Sequence, residues 1–143
     1  MAPQELPFHE LLTLGGYAVG LRGNLWAVKA RDGTPVPLPE YVAPGLVVLL
    51  ERVPADFDHE LRSLLQAQGL NGQFAGTFPL PIILRLGLEW PSERWQGLAL
   101  TWVETLQCAP QVMSALEVTA VDGRTQRHRQ RAKRLLKHAR RPE

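Results

Sequence analysis

Apolar residues change their spacing several times along this chain, and each change marks the edge of an element. Phe57, Leu61, Leu64 and Leu65 fall at i, i+4, i+7 and i+8, the repeat of one helical face. Pro54 precedes this run, Gly69 closes it, and Asp56 and Asp58 lie where a helix N-terminus favours negative charge. Trp95, Leu98, Ala99, Trp102 and Leu106 repeat the pattern behind Pro91-Ser92-Glu93, a helix-start signature. Residues 82–90 fit either period from Leu84 onward. The helix start that follows them favours a helix, so the two segments should form a helical hairpin that Pro110 ends. A short amphipathic stretch at 112–116 comes next, and Asp122-Gly123 marks a boundary.

The N-terminal third has a different texture. Residues 17–21 and 25–30 are short apolar runs around Arg22-Gly23-Asn24, where Gly and Asn tolerate the positive φ of a tight turn, so they predict an antiparallel hairpin. Residues 8–14 read as one or two helical turns stopped by Gly15-Gly16. Asp32-Gly33 supplies another turn, and four prolines within 34–44 should keep that segment extended and out of the middle of a sheet. Leu46-Val47-Val48-Leu49-Leu50 is apolar throughout and has no period to read; a third strand is the expectation. The expected fold class is therefore α+β: a small N-terminal antiparallel hairpin or sheet packed against four or five helices, plus a C-terminal basic helix.

Composition narrows the picture. With 143 residues, 45% of them hydrophobic, and a single Cys, the chain suits one hydrophobic core in a reducing cytoplasm, and it excludes a disordered protein or a disulfide scaffold. The first seven residues lack the basic and apolar regions of a signal peptide, so the expected N-terminus is near Met1. Residues 63–84 carry no charge over 22 positions, but Gly69, Gly72, Gly76, Pro79 and Pro81 would break a membrane-spanning helix; a helix end plus a loop is expected, and no membrane partner. Arg outnumbers Lys 13 to 3, the usage of a GC-rich bacterial genome.

Charge changes the picture most. Residues 1–123 hold 7 Lys/Arg and 13 Asp/Glu, net −6, whereas 124–143 hold 9 Lys/Arg and only Glu143, net +8. The chain reads as an acidic globular α+β domain, 1–123, followed by a basic helical tail, 124–143. Ala132, Leu135, Leu136 and Ala139 draw a thin apolar stripe along the tail, so the rest of its surface is positive. In composition the segment is similar to arginine-rich helices that bind RNA or DNA phosphates, and it contains no sequence-specific motif. The candidate phosphate contacts are Arg124, Arg127, Arg129, Arg131, Lys133, Arg134, Lys137, Arg140 and Arg141, because guanidinium groups grip phosphate bidentately. A solvated tail, or a helix folded back on the acidic body of its own or a second copy, are the competing readings.

Other chemistry finds less support. The histidines at 9, 59, 128 and 138 are scattered, and Asp56-Phe57-Asp58-His59-Glu60 reads as an acidic first helical turn with Asp58 paired to Arg62 more readily than as a metal or acid–base site. The glycines at 15, 16 and 20 do not follow a phosphate-loop spacing and serve hairpin turns. Cys108 lacks the basic surroundings of a reactive thiol and reads as structural, and no serine lies in G-x-S-x-G. Trp95 and Trp102 share a core-facing stripe, leaving Trp90 as the exposed tryptophan. No catalytic, metal or cofactor-binding residue is expected. The expected function is a non-enzymatic cytoplasmic binding protein whose tail contacts nucleic acid or another polyanion. The alternatives are an immunity- or antitoxin-like inhibitor binding a basic protein through the acidic body and, with least support, a small metal-dependent hydrolase at 56–60.

Overall fold

A computed structural model describes residues 7–30, 33–38 and 43–140. Gly15 and Gly16, with φ of 56° and 86°, reverse the chain between strand β1 (Phe8–Leu14) and strand β2 (Tyr17–Arg22), as a two-residue hairpin with both central φ values positive requires. The helical turns expected at 8–14 are thus a strand. The misreading has a local cause, a bulge between Glu10 and Leu12. The extra residue breaks the alternation, so Leu11 and Leu12 are both buried and the leucine spacing imitates a helix. Gly20 faces the bulge so closely that a Cβ there would lie 1.8 Å from the His9 carbonyl oxygen.

The expected hairpin forms between β2 and β3 (Leu25–Lys29), with Arg22 opposite Leu25 across Gly23-Asn24. Strand β4 is only Val36–Pro37, paired to β3 at the edge of a four-stranded antiparallel sheet of order β1-β2-β3-β4. Proline, which has no N–H to donate, is tolerated there. Asp32, of the second expected turn, lies outside the described residues. The third strand expected at 46–50 is instead a 3-10 helix, Pro44–Glu51. Leu46, Leu49 and Leu50 are fully buried; a run apolar on every side holds no periodic clue to its backbone.

Contacts divide the chain into two compact units: Met1–Val48 with Asp56–Pro79, and Leu49–Ala55 with Leu80–Glu143. In the first, helix α1 (Pro54–Ala67) buries Phe57, Leu61 and Leu65, and Gly69 follows it with φ 73°. A 3-10 helix, Gly72–Thr77, is capped by the Asn71 side chain. Trp26 Nε1 donates to the Phe74 carbonyl at 3.1 Å and to Thr77 Oγ1 at 3.0 Å, and its ring meets Phe78 edge-on.

The second unit is helical: α2 (Leu80–Glu89), α3 (Glu93–Leu106), a 3-10 turn (Ala109–Val112), α4 (Met113–Asp122) and α5 (Gln126–Ala139). The uncharged 63–84 stretch is therefore the end of α1, a 3-10 turn and the start of α2. Ser92 caps α3 by accepting from the Trp95 amide. The buried face of α3 is Gln96, Ala99, Leu100 and Val103 with Trp102, whereas Trp95 and Leu98 are half-buried and Leu106 is exposed. That face is rotated from the expected stripe; Ala99 and Trp102 are common to both, and Trp102 Nε1 donates to the Leu50 carbonyl, 2.9 Å away, inside this unit. Trp90, expected at the surface, is half-buried. No described helix is long and apolar enough to cross a membrane.

Candidate nucleic-acid interface

Helix α5 begins where Thr125 accepts from the His128 amide at 3.0 Å, the side-chain cap that a helix start favours. It packs against α3 and α4. Its buried seam is His128, Ala132 and Leu136, at i, i+4 and i+8, with Leu135 and Ala139 half-buried beside them. The Ala/Leu stripe was legible in the sequence; His128 was not, because its place in the seam depends on what faces it. Gly97 of α3 leaves room for the ring, since a Cβ there would lie 3.1 Å from His128 Cε1. Nε2–H of His128 donates to the Glu93 carbonyl at 2.8 Å, and the buried Nδ1 has no partner among the described residues.

The candidate cations separate into two sets. Arg131 donates from Nε to Glu104 Oε1 at 2.8 Å and from Nη2 to Thr101 Oγ1 at 3.1 Å, so it ties α5 to α3. Arg140 reaches Glu117 of α4 at 2.9 Å, and Arg129 donates to the Gly123 carbonyl at 2.8 Å. These three are engaged within the unit. Arg127, Lys133, Arg134 and Lys137 are exposed and make no ion pair or hydrogen bond among the described residues. With roughly 100° of turn per residue, these four share the side of α5 opposite the seam, together with Gln126 and Gln130. Arg124 is exposed just before the helix, its backbone N–H donating to Gln96 Oε1. Arg141 lies outside the described residues.

One flank of α5 borders a cleft of about 790 Å³, shared with the end of α3 and the 3-10 turn after it. Ala109, Pro110 and Leu135 give it apolar walls, while Gln107, Arg134 and His138 bring polar groups. Gln107 is in the left-handed region, φ 52° and ψ 44°, where an L side chain costs about 1 kcal/mol and Gly is the usual choice. No pattern of residue types signals that cleft, because it arises from the packing of three segments. Cys108, next in the chain, is half-buried, and burial pushes its thiol above the ordinary value.

The other candidates stay apart. Asp58 accepts from Arg62 Nε at 2.7 Å one helical turn away, and among the described residues no group of three or more His, Cys, Asp or Glu could hold a metal. Gly15 and Gly16 form a hairpin turn. No family model, curated protein or solved structure matches this chain.

Proposed function

We propose that this chain is a binding protein that engages nucleic acid, or a polyanion of similar charge density, through the outer face of α5. One observation carries the reading: the acids within reach take up Arg131 and Arg140, yet leave Arg127, Lys133, Arg134 and Lys137 as an unneutralised stripe along one side of a docked helix. Like charges held this close are relieved by a counter-charged surface, and a line of exposed cations on a rigid helix matches a line of phosphates better than a flexible tail does. The helix presents the stripe already ordered, so binding carries a smaller entropic cost.

The test is binding of labelled oligonucleotides to the full chain as salt is varied. Four phosphate contacts give a slope of log K against log salt of about −3 to −4, with little sequence preference. Replacing all four residues by Gln should abolish the binding while leaving the fold intact. Absence of any nucleic-acid binding at about 50 mM salt, where phosphate contacts are strong, together with capture of a basic protein by the quadruple variant, would transfer the function to the acidic residues, as an immunity-like inhibitor requires.

A further inference from the structure

Resting on the reading of α5 as a nucleic-acid-binding helix, we infer that the cleft beside it receives an unpaired base, so that the preferred ligand is single-stranded. The outer face and the cleft meet at Arg134, which belongs to the cationic stripe and also lines the cleft. A phosphate held at Arg134 therefore sets the adjoining base at the cleft mouth. In a duplex the bases are stacked inside and only the phosphates reach α5; in a single strand a base can swing out and be buried.

The chemistry of the walls suits such a base. His138 and Arg134 offer flat π systems, and imidazole rings and guanidinium planes are surfaces on which unstacked bases lie. Ala109, Pro110 and Leu135 provide apolar walls, and the Gln107 amide carries the donor and the acceptor that a base edge needs. Glu104, the carboxylate on this wall, is held by Arg131, so it does not set a free negative charge against the approaching strand. The volume of about 790 Å³ is within the range of pockets that enclose small ligands. Gln107 closes α3 in the left-handed conformation at φ 52°, its N–H donating to the Val103 carbonyl, so Gly is tolerated there by the backbone and can test the residue's place in the cleft.

The experiment measures fluorescence anisotropy of a labelled mixed-sequence 12-nucleotide strand, as DNA and as RNA, alone and annealed to its complement. The proteins are the full chain, Gln107→Gly, His138→Ala and the four-residue Gln variant of the outer face. We expect the single strand to bind roughly ten-fold more tightly than the duplex, the scale of one stacked base. Gln107→Gly and His138→Ala should each erode that advantage several-fold and leave duplex binding unchanged. Gln107→Gly should also hold or raise Tm, an outcome that separates a ligand contact from a structural role. An abasic strand of the same length should bind no better than the duplex. Equal binding of strand and duplex, unaffected by the two cleft variants but abolished by the four-residue variant, would overturn the inference and leave the proposed function standing. Failure of both nucleic acids to bind at low salt would overturn the proposed function itself, and the inference with it.

Discussion

The sheet unit and the helical unit use charge in different ways. In the first, Asp58 and Arg62 pair within one turn of α1, and Lys29 of β3 lies 5.5 Å from the centre of the Phe8 ring on β1. Long-range order there comes from the strand ladder and from Trp26, whose indole N–H reaches residues 48 and 51 positions away. In the second, Arg85 also pairs with Glu89 one turn along α2, but Arg94 meets Glu51, Arg131 meets Glu104 and Arg140 meets Glu117, three pairs that each join separate segments. The segregation of charge along the chain is thus partly undone in space. Acids of the nominally acidic portion neutralise one set of arginines and leave the other set facing out. Exposed ion pairs contribute roughly 0–1 kcal/mol each, so what holds α5 is its buried seam, and the ion pairs orient it.

The sharpest way to break this comparison is at the seam. Ala132 is 0% exposed, and Ala132→Glu would bury an unpaired carboxylate at a cost of about 3 kcal/mol or more; the same residue at Gln130, on the outer face, should change stability by about 0.5 kcal/mol or less. Chemical denaturation of the two variants checks this, and removal of residues 124–143 should have an effect similar to the seam variant. A surface-laid tail would instead leave the midpoint unchanged in all three.

Next come the two indole donors, one in each unit. Trp102→Phe leaves the Leu50 carbonyl without its buried donor and should cost about 1–3 kcal/mol. Trp26→Phe should cost less, since the Thr77 hydroxyl already donates to the Phe74 carbonyl. Equal losses in thermal melts would contradict this ranking. Glu104→Gln should cost about 1 kcal/mol or less, because Arg131 is only 16% exposed but its partner is 42% exposed; the loss should shrink in high salt.

Cys108 reports on the helical unit without mutation. Its raised thiol pKa means a smaller thiolate fraction than an ordinary cysteine at the same pH, so Ellman's reagent should react a few-fold more slowly at pH 8 in the folded protein than after denaturation. The gap should close as pH rises and the folded thiol ionises. Smallest of all, Asp58→Asn should shift the stability of the sheet unit by about 0.5 kcal/mol or less, as expected for an exposed pair one turn apart.

Elements governed by local rules were legible from residue order. The α1 repeat, the Gly23-Asn24 hairpin, the start of α3 at Pro91-Ser92-Glu93 and the Ala/Leu stripe of α5 each combine a period with a stop signal, and both are properties of neighbouring residues. The concentration of cations at 124–141 was equally plain. Residues 8–14 and 44–51 were misread for opposite reasons: the bulge at Glu10 corrupts the strand period, and the run at 46–50 has none.

Tertiary structure alone decided which cations stay free. Arg131 and Arg127 are indistinguishable as letters, one helical turn apart; one finds Glu104, 27 residues away, and the other faces out. The cleft at Gln107 and the burial of His128 opposite Gly97 have the same origin. Helix propensity, capping and net charge are sums over adjacent residues and survive in the sequence. Pairing and enclosure depend on which distant groups packing brings within a few ångströms, so for this chain the basic helix was written in the sequence and its division into anchor and open face was settled only by the fold.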